Sequence, residues 1–145
     1  MRPKERPLWR CPACGHRFVT RNLSHSCGNY TLEHHFGDKP AFVRELFDGF
    51  VDAVGGFGPF QTEFQKTRIA FTVRVRFAAG HALQSGFRGH LWLTARRPGA
   101  PVDRIERFSD RCFIHHFVLR RPQDLRPLLA RIGEAYRVGC QDHLG

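Results

Sequence analysis

The sequence predicts an α+β fold, because three kinds of pattern follow one another along its 145 residues. A short stretch rich in cysteine and histidine comes first, a segment with helical periodicity comes next, and several segments of alternating apolar and polar residues follow. A second helical segment closes the chain. We expect residues 1–30 to form a small head. Residues 31–145 would form an antiparallel sheet of four to five strands, with an N-terminal and a C-terminal helix packed on one face.

The head has the ligand spacing of a zinc knuckle. Cys11 and Cys14 form a C-x2-C pair, and Gly15 directly after it suits the tight turn that such a pair needs. His25 and Cys27 follow after a short basic loop. Three thiolates and one imidazole make a closed tetrahedral set, which is typical of structural zinc sites. The sequence therefore predicts Zn²⁺ bound by Cys11, Cys14, His25 and Cys27.

The fourth ligand is the least constrained part of this prediction. The second half of the pattern reads H-x-C, and Ser24 stands where a cysteine would complete a second C-x2-C pair. His16, His34 and His35 are rivals to His25, and His35 is the strongest of them. The alternative without metal is a set of three reduced cysteines. The clustering argues against it, because so short and polar a stretch would draw most of its folding free energy from metal binding.

Helix-capping residues and an apolar periodicity predict helices directly after the head. Thr31 can cap a short helical turn. Pro40 then sits where the first turn of a helix accepts proline, and Gly55-Gly56 ends that helix. Between them, apolar residues recur at three- and four-residue steps on one face, which predicts a core-facing amphipathic helix. These residues are Val43, Leu46, Phe47, Phe50, Val51 and Val54.

The strands are predicted from alternation and from turn residues. The clearest is residues 68–77, RIAFTVRVRF, in which one face is apolar and the other presents three arginines. Residues 79–81 are expected to start a loop. Short connections between successive strands favour a meander. Further strands are expected over residues 60–66, 87–96, 102–108 and 111–119.

The last of these segments, 111–119, is apolar on both faces and is expected to be a central strand. Because side chains alternate along a strand, His115 and His116 must point to opposite sides of it. The chain ends in a helix capped by Asp124. We expect the helices to cover one sheet face and the other face to carry Arg74, Arg76, Trp92 and one of the paired histidines.

Composition and charge limit the class of protein. The chain carries 23 basic and 13 acidic residues, a net charge of +10, and lysine occurs only at Lys4, Lys39 and Lys66. An arginine-rich chain suits contact with phosphate or carboxylate, although a GC-rich genome gives the same composition. No apolar run is long enough for a transmembrane helix, and the N-terminus lacks the apolar region of a secretory signal. Five cysteines with metal-like spacing favour a reducing, cytoplasmic compartment.

The basic residues and their aromatic neighbours favour binding of nucleic acid over binding of a small anionic ligand. The first hypothesis is binding of nucleic acid without sequence specificity, through phosphate neutralisation and stacking. The alternative is a small anionic ligand bound by sheet-face arginine and histidine, with His115 or His116 as acid or base in an enzyme. No catalytic residues can be named, and we favour a protein that is not an enzyme. The candidate nucleic-acid or anion-binding residues are Arg10, Arg17, Arg21, Lys66, Arg68, Arg74, Arg76, Trp92 and His116.

The chain resembles a family of small bacterial proteins classed as a domain of unknown function, with a CPxCG…HSC head on a similar body. The pieces that carry the resemblance are LWRCPACG, SHSCGNYTLEHHF, VRELFDGF, KTRIAFTVRVRF, FIHHFVL and EAYRVGCQDHL. The body is more distantly similar to another unknown-function family with a frataxin-like α+β fold that is linked with iron handling. The resemblance implies a fold and a compartment but no catalytic residues. It adds a further alternative, an iron-handling or protein-interaction module, for which only Glu45, Asp48 and Asp52 offer acidic groups on a helix. We expect no membrane partner, and the sequence names no protein partner.

Overall fold

The computed structural model describes residues 6–21, 23, 25 and 30–144. The helices are α1 (Leu32–Phe36), α2 (Ala41–Gly55) and α3 (Leu129–Gly139), with 3-10 helices at Pro122–Leu128 and Asp142–Leu144. The strands are β1 (Trp9–Arg10), β2 (Arg17–Phe18), β3 (Gln61–Phe64), β4 (Ile69–Thr72), β5 (Arg76–Leu83), β6 (Gly86–Leu93), β7 (Val102–Ser109) and β8 (Cys112–Leu119). None of the described helices is both long and apolar enough to cross a membrane.

The body is a six-stranded antiparallel sheet in the order β3-β4-β5-β6-β8-β7. The α+β class is therefore confirmed, but the prediction of four to five strands was wrong. The prediction of a simple meander was also wrong, because β8 lies between β6 and β7 and leaves β7 as the outermost strand. Residues 94–101 between β6 and β7 are long enough to bridge the position that β8 occupies.

Helices α2 and α3 pack against β5 and β6 on one face of the sheet and contact each other. The predicted apolar stripe of α2 forms the centre of the core, since Val43, Phe50 and Val54 are all fully buried. The ring of Phe50 lies 5.3 Å from that of Phe71 and 5.7 Å from that of Phe117, centroid to centroid. The core is thus built largely from phenylalanine rings that join α2 to the sheet.

The segment 68–77 is not one strand, as its alternation predicted, but a hairpin. It forms β4, a turn at residues 73–75, and the start of β5. The turn contains no glycine or proline, so its sequence does not show it. Its backbone is held instead by α3, because the N–H groups of Arg74 and Val75 donate to the carbonyl of Gly139 over 2.8 and 3.1 Å. A distant carbonyl thus supplies the hydrogen bonds that a continuing strand would have made.

Residues 79–81, predicted to start a loop, lie inside β5. Gly80 is needed there for packing rather than for a turn. A Cβ at this position would lie 2.4 Å from the ring of Phe87 on the neighbouring strand, so only glycine allows the ring to cover the backbone.

The helices also differ from the prediction of one N-terminal and one C-terminal helix. Thr31 does cap a short helix, α1, through its hydroxyl, which accepts from the N–H of His34. At the other end, the carboxylate of Asp124 accepts from the N–H groups of Arg120 and Arg121 over 3.0 and 3.1 Å. Asp124 thus lies inside the segment that it was predicted to cap, at the third position of a 3-10 helix whose N-cap is Arg121, and the α-helix begins only at Leu129. Pro127, which cannot donate a backbone hydrogen bond, lies within the 3-10 part.

Candidate metal centre and basic surfaces

The head is a two-stranded hairpin that closes around a tight turn. Strands β1 and β2 pair Trp9 with Phe18 and Arg10 with Arg17. Between them, the N–H of Cys11 donates to the carbonyl of His16, and the N–H of Gly15 donates to the carbonyl of Cys11, each over 2.8 Å. Gly15 has φ of 79°, which glycine adopts without strain. The turn brings Cys11 and Cys14 to the same side of the hairpin.

Three of the four predicted metal ligands come together in the structure. One ligand atom each from Cys11, Cys14 and His25 lies within 4.8 Å of the other two. The Sγ of Cys14 is 3.2 Å from Nε2 of His25. Cys27, the fourth predicted ligand, lies outside the described residues. Two sulfurs and one imidazole nitrogen at this spacing fit a transition metal that accepts soft and borderline ligands.

The orientation of the His25 ring suits a metal ligand. Its Nδ1 is 2.6 Å from the carbonyl oxygen of Leu23, which can only accept, so Nδ1 carries the proton. Nε2 is then the unprotonated nitrogen, and it faces the sulfur of Cys14. A second hydrogen bond that fixes the tautomer and direction of the ring is typical of metal-bound histidine. The ring also lies 4.3 Å from that of Phe18, centroid to centroid, which holds it against the hairpin.

The rival histidines lie outside this cluster in the described part of the chain. His35 is in α1, where its ring lies 6.0 Å from that of Phe64 and burial lowers its pKa below the ordinary value. His34 donates from Nε2 to the carbonyl of Lys66 over 2.8 Å. The ring of His16 stands edge-on to Phe18. Of the predicted histidines, His25 is the one whose ring nitrogen reaches Cys11 and Cys14.

The surface of the head is strongly basic. Arg10, Arg17 and Arg21 are exposed, and Arg10 lies directly opposite Arg17 across the hairpin. The described head residues, 6–21, 23 and 25, include no aspartate or glutamate. Like charges directly opposite each other on paired strands are destabilising. The hairpin therefore carries a concentration of positive charge that no acidic residue within this part of the chain neutralises.

The sheet face opposite α2 and α3, the open face, holds four of the other predicted residues. His116 pairs with His90 across β8 and β6, and Trp92 lies two residues from His90 on the same side. Arg76 also faces this side, where its guanidinium lies 3.4 Å from the carboxylate of the buried Glu63. Arg68 donates to the side chain of Gln65 over 2.8 Å. The arginines here are held in place by neighbouring acceptors.

Two other predicted residues lie elsewhere. Lys66 is exposed between β3 and β4. Arg74 was expected on a strand of the open face, but it lies in the turn between β4 and β5, and the prediction that it belongs to a strand was wrong. Its Nε donates to the Gln141 side chain over 2.9 Å and its guanidinium also contacts the carbonyl of Arg6. The reason is the hairpin at residues 73–75, which interrupts the alternation on which the prediction rested.

A row of histidines on the open face was missed by sequence reasoning. The rings of His81 and His90 are 6.4 Å apart, and those of His90 and His116 are 4.6 Å apart and nearly perpendicular. Burial is the main cause that lowers the pKa of His90 to about 4, and the positive charges of His116, His81 and Arg88 add to it. No sequence signal marks this row, because it depends on the register of three strands and β5 reads as a loop at His81.

Among comparisons with known proteins, the match found covers the body of the chain and not the head. Searches of curated proteins and of solved structures found no similar protein. A family described as a domain of unknown function, DUF5655, matches residues 32–139, which begin with α1 and end with α3. The metal cluster lies before the matched residues. On this match over most of its length, the chain belongs to the DUF5655 family.

Proposed function

We propose that this protein is a cytoplasmic, zinc-binding protein that binds nucleic acid without sequence specificity, mainly through the head. The zinc ion would be held by Cys11, Cys14 and His25, with Cys27 as the fourth ligand. Its part is structural, because four protein ligands leave no position for a substrate or a reactive water. Cysteine binds zinc as a reduced thiolate, which suits a reducing compartment.

The observation that carries the nucleic-acid proposal is the exposed pair Arg10 and Arg17 on the hairpin that the metal cluster closes. Two guanidiniums on facing strands repel each other, and a phosphate backbone would relieve that repulsion by bonding to both. Guanidinium groups bind phosphate bidentately, and each contact releases counterions from the nucleic acid. Arg21 extends the same surface. Such contacts position a strand but carry no sequence information.

The open face would have a smaller part in this binding. Arg68 is engaged with the side chain of Gln65, so its guanidinium is less available to phosphate. Trp92 and His116 are half-buried on the same face. An iron-handling role would need free acidic side chains on helix α2. This role is less favoured, since the carboxylate of Asp48 already accepts from Arg44 over 2.8 Å.

The test is fluorescence anisotropy of a labelled single-stranded oligonucleotide of random sequence, titrated at several salt concentrations. We expect dissociation constants of roughly 10⁻⁶ to 10⁻⁴ M near physiological salt. Arg10→Ala combined with Arg17→Ala should reduce the slope of log K against log salt by about 1.4, since each lost contact to a single strand contributes about 0.7.

The matched control is Arg44→Ala combined with Arg121→Ala. Both arginines are exposed, and both already pair with a carboxylate, of Asp48 and Asp124 respectively. This control removes the same net charge from another part of the surface. Equal weakening by the two double variants would show that only overall charge matters, and the proposal would then fail. Absence of binding at low salt would overturn it outright.

A further inference from the structure

A cleft of about 290 Å³ lies where the head meets the sheet. One wall comes from the chain after β2, with Val19 and Leu23, and the buried ring of Phe18 lies behind them. The opposite wall comes from the end of β4 and the start of β5, with Thr72 and Arg76. A volume of this size is at the lower end of the range of pockets for small organic ligands.

The head side of the cleft is apolar although it is open to solvent. Val19 and Leu23 are each 38% exposed, and they are two of the few large apolar side chains of the described residues that are exposed to this degree. Each would be more stable against an apolar surface than in water. Phe18 adds an aromatic ring that is fixed by its contact with His25. This wall suits a flat, apolar group.

The sheet side of the cleft is cationic. Arg76 is held by the buried carboxylate of Glu63, and its Nε is buried with no acceptor among the described residues. Burial is also the main cause that lowers the pKa of Arg76 below that of a solvated arginine. A partly desolvated guanidinium attracts an anion more strongly than a fully hydrated one. Arg74, at the same wall, is oriented by its hydrogen bond to Gln141.

We propose that this cleft binds one unpaired nucleotide, with the base against Val19 and Leu23 and the phosphate at Arg76 and Arg74. The nucleotide as ligand rests on the proposed function, because the cleft adjoins the hairpin that carries Arg10 and Arg17 and a bound strand could continue from one to the other. The ligand must combine a flat apolar part with an anion, since the two walls differ in that way. A base inside a duplex cannot enter, so the protein should prefer single strands.

The test uses isothermal titration calorimetry with adenosine 5′-monophosphate, adenosine and inorganic phosphate as separate probes. Val19→Asp places a negative charge at an exposed position in the cleft, and Val19→Asn is the control of nearly equal size without the charge. We expect Val19→Asn, which removes apolar contact with the base but adds no charge, to bind the monophosphate roughly threefold more weakly than the wild-type chain. Val19→Asp should bind it at least tenfold more weakly. Zinc content and thermal midpoint, measured for both variants, show whether each is folded.

Three results would overturn the inference. The first is no binding of the monophosphate at millimolar concentration. The second is equal binding by Val19→Asp and Val19→Asn. The third is equal affinity for the monophosphate and for inorganic phosphate, because the apolar wall would then contribute nothing.

The anisotropy experiment separates this inference from the proposed function. Oligonucleotide binding that depends on Arg10 and Arg17, without monophosphate binding, would leave the proposed function standing and remove the cleft site. Monophosphate binding with no oligonucleotide binding would support the cleft and remove the role in binding nucleic-acid strands.

Discussion

The adjacent residues His115 and His116 show how one position along a strand changes the chemistry of a side chain. His115 is fully buried, and its ring is fixed between two backbone groups. Nε2 accepts from the N–H of Arg97 over 2.9 Å, and Nδ1 donates to the carbonyl of Phe113 over 3.0 Å. His116 lies on the open face beside His90 and Glu106. The prediction that the two would point to opposite faces is confirmed, whereas the buried member could be identified only from the register of β8.

The depressed pKa of His90 predicts that stability falls in mild acid. An unfolded chain binds a proton here near pH 6.5, but the folded protein does so only near pH 4. Between these values the unfolded state binds more protons, so the free energy of unfolding decreases as the pH is lowered. Urea unfolding at pH 7 and pH 4.5 should show this decrease, and His90→Gln should reduce it. An NMR titration midpoint near 6.5 for the His90 ring would contradict the prediction.

Arg131 is a buried cation that no sequence pattern reveals. Its guanidinium donates to the carbonyls of Arg97, Gly99, Ala100 and Pro127 over 2.8 to 3.2 Å. It therefore ties α3 to the connection between β6 and β7. The periodicity of α3 places this residue on the helix but gives no reason for it to be buried.

Replacing Arg131 with lysine should be costly, because one ammonium cannot reach four carbonyls arranged for a planar guanidinium. We expect a loss of roughly 1–3 kcal/mol in the free energy of unfolding, since hydrogen bonds from a charged donor to these carbonyls are lost. Arg137→Lys, at an exposed position of the same helix, should change it by less than about 0.5 kcal/mol. Equal effects in chemical denaturation would show that the four hydrogen bonds do not stabilise the fold.

Among the elements, those defined by local signals were predicted well. Helix α2 has a proline at its start, a glycine pair at its end and a complete apolar stripe between, and all three hold in the structure. Strand β8 lies inside the sheet, as its two apolar faces predicted. The strand boundaries were mispredicted where a residue distant in sequence determines the backbone conformation. At residues 73–75, for example, Gly139 supplies the acceptor for the turn. Alternation alone cannot distinguish a long strand from two strands joined by such a turn.

The packing of α2 on the sheet gives a prediction at this scale. Phe50 is fully buried among three other phenylalanine rings, so Phe50→Ala should lower the free energy of unfolding by about 3–5 kcal/mol. Phe108→Ala is the control, because Phe108 is 73% exposed on β7 and should lose less than about 0.5 kcal/mol. Thermal or urea unfolding measures both, and similar losses would mean that Phe50 is not central to the core.

At the scale of the whole molecule, the head and the body differ in what holds them together. Cys11 and Phe18 are the only buried side chains of the described head residues, whereas the body has a core of many apolar residues. The cluster of Cys11, Cys14 and His25 was predictable as a candidate metal site, because these residues lie in one short stretch with a characteristic spacing. The open face was not, because it joins residues from β5, β6 and β8 whose register cannot be read from the sequence.

Removing the metal should therefore affect the head and spare the body. In Cys14→Ser, we expect zinc content by mass spectrometry to fall from one per chain to well below it. Hydrogen exchange should lose its protection over residues 9–18 and keep it over α2. Cys112→Ser is the matched control, because Cys112 lies in β8 outside the cluster. Full zinc content in Cys14→Ser would contradict the ligand assignment, and a loss of protection in α2 would contradict the independence of the body.

The two outer strands of the sheet bear on how the protein avoids aggregation. A sheet of this kind ends in strands whose free backbone groups could pair with another chain. Strand β7 presents exposed charges of both signs along that edge, at Asp103, Arg104, Glu106 and Arg107. Strand β3 has only four residues, and Gln61 on it accepts from the backbone N–H of Arg17 in the head over 2.9 Å. Charged side chains thus line one outer strand and the head contacts the other, so a chain whose head unfolds would also expose a strand on which fibrous aggregates could begin.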